Sequence, residues 1–361
     1  MTLTNLSREN PSSETTPVAT GTNAVAIGSG SVANGQHSFS IGQNTVSGTT
    51  GGQNYAVAIG YSATGTGAFS TSVGGFTDAT AQHALALGSY AQATGVRSSS
   101  IGRALASGAD SLASSLTNTS SSYGAQGASS VAIGKEAKAT GAGSIALSTK
   151  TYTGGAVATG SGSVAIGDGA AASGLLGMAI GRGATASGIM SMAYGRDSQA
   201  TQEESKAFGY RSYADVTGCF AYASGYFGAA NGDAQGRQYI LRKATTDATA
   251  TVLTTDAGNA TTNNQIRVPA NSVVVFDGVI TACQSGVAAY AGWRVEGMIT
   301  NDGGTTVIQN NTITAIKNES GWRCRLSAND STDSLVVTVT GEASHNIRWV
   351  ANIRTVETIY A

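Results

Sequence analysis

The chain has 361 residues, of which 49 are glycine, about twice the usual share of roughly 7%, and 11% are charged, against about 25% in ordinary domains. Three prolines exclude a collagen triple helix. A hydrophobic share of 41% with a net charge of -1 argues against charged disorder and against an electrostatic footprint for nucleic acid or anionic membrane.

Residues 1–20 read as an extended leader with Pro11 and Pro17 among Ser and Thr. They lack the basic and apolar regions of a secretion signal, and no stretch of the chain reaches the roughly 18 apolar residues of a membrane-spanning helix. From residue 21 to 230 there is no Trp and no Pro, and glycine is concentrated, with 38 in residues 1–230 and 11 in 231–361. The composition therefore divides the chain into an attachment segment (1–20), a repetitive body (21–230) and a C-terminal domain (231–361).

The body repeats a phrase of small, variable, small, apolar and glycine residues. Its last position falls at 28, 42, 60, 74, 88, 102, 115, 134, 148, 167, 181, 195, 209 and 223, mostly 14 apart with three insertions of four or five. Two places before that position only Ala or Ser occurs, from Ala26 to Ala221. One place before it stand Ile27, Ile41, Ile59, Val73, Leu87, Ile101, Ile133, Leu147, Ile166, Ile180, Tyr194, Phe208 and Tyr222, with Ser114 as the polar exception. Alternation of period two over about five residues predicts a short strand with one bulky and one very small face. A second small alternation, as in Ala91–Gly95 and Ala170–Gly174, predicts a second strand in each unit.

Units of this kind stack as a parallel β-solenoid, each coil about 4.8 Å from the next, so fourteen would span about 65–70 Å. Only small side chains fit between two such close strands. The bulky column must then face outward as an apolar ladder larger than soluble monomers tolerate, which predicts self-association. A three-fold arrangement would bring three ladders to one axis, although periodicity alone does not give that number.

The segments Ser163–Gly167 and Ser130–Gly134 (both Ser-Val-Ala-Ile-Gly) and Ala24–Gly28 (Ala-Val-Ala-Ile-Gly), each in a 14-residue unit, resemble the head repeats of trimeric autotransporter adhesins of the Yersinia-adhesin type. The resemblance covers about residues 21–230. It implies an all-β fold, a left-handed parallel β-roll wound as a homotrimer, with the thirteen residues from Ile27 to Tyr222 packing at the trimer axis. The chain departs from that family in lacking a secretion signal, a heptad stalk and an outer-membrane anchor.

In the C-terminal domain, strands are predicted at Gln238–Arg242, Gln265–Val268, Ser272–Ala282, Gly292–Ile299, Thr312–Ile316, Trp322–Leu326, Ser334–Thr340 and Asn346–Tyr360. Their spacing suggests an antiparallel β-sandwich or jelly roll. The segments Gly292–Ile299 and Ile347–Ile353 are similar to terminal domains of bacteriophage structural proteins. Combined with the head repeats, this resemblance implies a phage fibre or spike, made in the host cytoplasm and carried on the virion tail or capsid surface. Its partners would be further copies of itself, other virion proteins through residues 1–20, and a host cell-surface receptor, a glycan being one candidate class, with no nucleic acid.

Chemistry is sparse. The three cysteines (Cys219, Cys283, Cys324) fit neither a disulfide framework nor a paired zinc site and are expected as free, mostly buried thiols. His37, His83 and His345 are far apart, and no catalytic, cofactor or metal site is predicted; the chain reads as not an enzyme. A polysaccharide-cleaving spike would need two carboxylates across a sugar. Asp277, Glu296, Asp302 and Glu342 of the cap could be brought together only by folding. Trp in an alternating strand, such as Trp293, reads as core, although tryptophans can also stack on sugars. Receptor contacts are expected within 231–361 or on insertion loops at 47–54, 117–127 and 149–160. The rival readings are a capsid-decorating or cement-like fibre, a depolymerising tailspike and a bacterial surface adhesin.

Overall fold

A computed structural model describes residues 15–49, 55–116, 122–149, 154–228 and 230–360. Among these residues the structure is all-β, without helices. Its contacts divide the chain into two compact units, Met1–Leu176 and Gly177–Ala361.

In the first unit each coil contributes one three- or four-residue strand and one two-residue strand, such as Val57–Ile59 followed by Thr64–Gly65. Each kind pairs in parallel with its counterpart in the next coil, each repeat position opposite the same position: Val57 opposite Thr71, Ala58 opposite Ser72, Ile59 opposite Val73. The strands are shorter than the five residues expected. The small residues at their ends, such as Ala56 and Ser70, are buried, but there the backbone is already turning. Between the two sheets only Ala, Ser, Thr and Gly are buried. Ala58, Ala63, Ala86 and Ala93 are fully enclosed, and the hydroxyl groups are partly used locally, with Ser72 Oγ donating to Thr77 Oγ1 at 2.7 Å.

The glycine column is a steric requirement. All eleven of its glycines have positive φ; at Gly60 φ is 136°, and a Cβ would lie 2.0 Å from the carbonyl oxygen of Gly74. The L-residue penalty in that region and the contact both select glycine. The expected insertion loops are only partly loops. Gly124–Ala125 and Val157–Ala158 are short strands paired within the coil stack, while 50–54, 117–121 and 150–153 lie outside the described residues.

The second unit carries coils of the same kind, with Met178–Ile180, Met192–Tyr194, Lys206–Gly209 and Phe220–Ala223 as the longer strands. The pattern then changes. Ala234–Thr245 pairs antiparallel with Phe220–Ala223 and begins a five-stranded antiparallel sheet, in the order Ala234–Thr245, Ile347–Ile359, Ser272–Gln284, Tyr290–Asp302 and Thr305–Lys317. A smaller sheet packs beneath it, built on Ser334–Thr340 with Thr251–Val252 and Ile266–Arg267 on one side and Arg323–Asn329 on the other. Alternation along Ile347–Ile359 sends Ile347, Trp349, Ala351 and Ile353 inward. Trp293 and Trp322 join Trp349 in this core, with both ring centroids 5.8 Å from that of Trp349. The Trp349 indole N–H donates to Thr245 Oγ1 at 2.9 Å. The tryptophans are therefore packing residues, as alternation suggested.

Candidate functional site

Three features stand out. The first is the outward face of the longer-strand sheet. The residue one place before the glycine column and the residue three places before it both project here, so each coil presents two side chains, such as Val164 and Ile166 or Leu85 and Leu87, flanking an enclosed alanine. Ile27, Ile41, Ile59, Val73, Leu87, Leu147, Ile166, Ile180 and Phe208 are half-buried, while Ile101, Ile133, Tyr194 and Tyr222 are exposed. All thirteen predicted axis residues thus lie on one kind of face, grouped by coil within each unit.

The second feature is the pair of turn columns bordering that face. In the first unit His37, Tyr55, Phe69 and His83 stack with centroids 5.0–5.1 Å apart. At the other end of the strands Tyr61 meets Phe76 edge to face and Phe76 stacks on Tyr90, a column closed by the Arg103 guanidinium 4.7 Å above the Tyr90 ring. The two histidines are thus parts of a stacked turn column. His345 sits apart, 3.2 Å from Glu342. Arg97 and Asp110 continue the first column as an exposed pair, 2.8 Å from Nη2 to Oδ2.

The third is a buried charge cluster between the last coil and the cap strands of the second unit. Arg237 Nη1 donates to Asp215 Oδ1 at 2.7 Å, and its Nε lies 3.2 Å from Glu357 Oε2. Arg267 Nε approaches the other Asp215 oxygen at 3.1 Å. Gln235 and Thr355 donate to Glu357 at 3.2 and 2.9 Å. Gln235 also accepts from the Tyr213 N–H and donates to the Tyr213 carbonyl, so its amide pairs with the last short strand as a further strand would. Burial pushes the Glu357 carboxyl above its ordinary range, against the pull of Arg237. Burial likewise raises the nearby Cys219 thiol to about 11.

The other thiols correct the sequence reading. Cys219 is buried, but Cys283 is exposed and Cys324 only half-buried, because both sit on cap strands with a solvent-facing side. Of the cap carboxylates, Asp277 and Glu296 are cross-strand neighbours, and Asp277 pairs with Arg354. Asp302 accepts instead from the Tyr360 hydroxyl at 2.9 Å, and Glu342 faces His345. Among the described residues no group of three or more His, Cys, Asp and Glu could hold a metal. Sequence reasoning missed the Asp215–Arg237–Glu357 cluster. Its one local signal was an arginine at an inward position of an alternating strand.

Residues 19–45, 79–104, 125–147, 154–170, 158–184, 172–198 and 186–212 match the YadA head domain repeat. The chain therefore carries adhesin-type head repeats in both units. No curated protein matches it. Among solved structures the chain is similar to the tailspike protein gp49 from Acinetobacter baumannii bacteriophage Fri1, a capsular polysaccharide depolymerase. Identity is 8%, the TM-score is 0.25, and the match covers 93% of this chain and 61% of that one. Because that similar structure is an enzyme, the reading of this chain as non-enzymatic is corrected and withdrawn. At so low a TM-score the likeness assigns no residue a role.

Proposed function

We propose that the chain is the subunit of a homotrimeric bacteriophage fibre or spike. In this reading the head repeats form a left-handed β-roll shaft, residues 1–20 attach it to other virion proteins, and the cap (231–361) contacts a host surface receptor of glycan type. The observation that carries it is the outward apolar face of the repeats. Ten of the fourteen coils present two apolar side chains on this face and the coils with Thr71, Ser99, Ser114 and Lys206 present one; uncovered in one copy, they require a permanent partner, and another copy is the partner always at hand. The similarity of Gly292–Ile299 and Ile347–Ile353 to phage structural domains favours a virion setting. Three copies of a weak cap site would then bind by avidity.

The test is the mass in solution together with cell binding. Light scattering should give about 108 kDa, three times 36.0 kDa, and a monomer would sink the assembly. Binding of purified protein to host cells should disappear when residues 238–361 are deleted; retention of full binding would move the contact away from the cap.

A further inference from the structure

The five-stranded cap sheet has two faces, and only one is covered by the smaller sheet. On the uncovered face the register aligns a cross-strand row: Tyr222 opposite Gly236, Gly236 opposite Val356, Val356 opposite Val275, and Val275 opposite Met298. Side chains opposite one another in a sheet point to the same side. Their relative exposures agree, at 56% for Tyr222, 68% for Val356, 52% for Val275 and 37% for Met298. Alternation should have placed polar residues here, as it does on sheets that face water. An apolar strip instead crosses four cap strands, starting from a solenoid residue that belongs to the outward bulky column.

We propose that this uncovered cap face packs against the same chain in further copies, so that the cap is itself an oligomerisation element. The inference rests on the reading of the shaft as self-associating and extends it to a domain outside the matched repeats. Three observations support a second copy as the occupant. The row follows the ladder strand by strand from the outward face of the last coil, with Gly236, which carries no side chain, between Tyr222 and Val356. Two polar pairs beside it are satisfied within the chain, Arg354 with Asp277 and Gln238 Nε2 donating to Asn352 Oδ1 at 3.0 Å, so covering these strands no lone charge, while the exposed Arg294 and Glu296 of the same face would lie at the rim of the contact. Valine and methionine offer no donor or acceptor to a sugar hydroxyl, so the strip itself lacks the polar groups that fix a glycan.

The test places a photo-reactive benzoylphenylalanine in the full-length chain, at Val356 in one variant and at Ile166 in another. Val356 is exposed, so a bulky probe there leaves the fold intact. Irradiation of the Val356 variant should give covalent dimers and trimers on a denaturing gel, and adding Val275→Glu should reduce them to background. Interchain products from the Ile166 probe but none from the Val356 probe would overturn the cap interface while leaving the shaft reading in place. Products from Val356 alone would support the cap interface and remove the shaft reading. No interchain product from either probe, with a mass of 36.0 kDa, would overturn both. Products from Val356 that persist with Val275→Glu would also overturn the proposed row.

Discussion

Arg237 holds two carboxylates that are almost fully enclosed, Asp215 at 5% and Glu357 at 0% side-chain exposure. Removing it would leave both buried, with only the half-exposed Arg267 beside Asp215. Arg237→Met should therefore cost about 3–5 kcal/mol. Guanidinium unfolding followed by tryptophan fluorescence measures this, since all three tryptophans lie in the cap core. Glu357 gives the complementary pH prediction. Its folded pKa is raised above 4.5 by burial, so the protonated form is favoured in the native state. The associated stabilisation is fully present below the unfolded pKa and is lost as pH rises through the folded one. Melting temperatures of wild type and Glu357→Gln from acid to neutral pH should show the wild type gaining on the variant as pH falls. A constant difference would mean that Glu357 does not titrate in this window.

The coils were legible because one steric rule repeats. Inward positions accept only small residues, eleven of the fourteen positions equivalent to Gly60 are glycines at positive φ, with Ser115, Ser148 and Ala223 at the other three, and equivalent positions stack, so a 14-residue period encodes both sheets and their register. Ser163 tests how far that logic extends. Its Oγ is buried without a hydrogen-bond partner, whereas Ala24, Ala56 and Ala84 fill the same place in other coils. Ser163→Ala should be neutral or stabilising, by up to about 1–3 kcal/mol, the cost of an unsatisfied buried group. Denaturant midpoints measure it, and a clear loss would show that the hydroxyl has a partner. The cap strands were legible from alternation, with Ser334–Thr340 located to the residue, Ile266–Arg267 and Ile347–Ile359 shorter than expected and the other five longer. Thr251–Val252 was missed, since two residues carry no period. Of the charge cluster only the inward Arg237 left a local signal, and the strip from Tyr222 to Met298 left none. Both depend on pairing between residues as far apart as Gly236 and Val356 or Arg237 and Glu357, and no local pattern encodes that register.

In the proposed assembly the uncovered faces of the repeats and of the cap sheet would both be covered by further copies, and the two can be separated by mutation. Ile166 stands on the outward side of the Val164–Ile166 strand beside the enclosed Ala165, so a polar substitution there leaves the lumen untouched. In a single copy Ile166→Asp would place a carboxylate on a half-exposed surface at little cost. In an assembly with the face at a three-fold axis it would bury three like charges together, each copy losing the roughly 1.5–3 kcal/mol of a buried isoleucine and paying desolvation besides. Dilution should then shift the light-scattering mass from about 108 kDa toward 36.0 kDa for the variant at concentrations where wild type stays assembled. Thr185→Asp is the control, because Thr185 projects from the opposite, shorter-strand sheet. If both substitutions weaken the assembly equally, the longer-strand face has no special place in it. If only Ile166→Asp does so, the outward face of the longer strands is where the copies meet, and the aromatic residues along its borders become the next positions to probe.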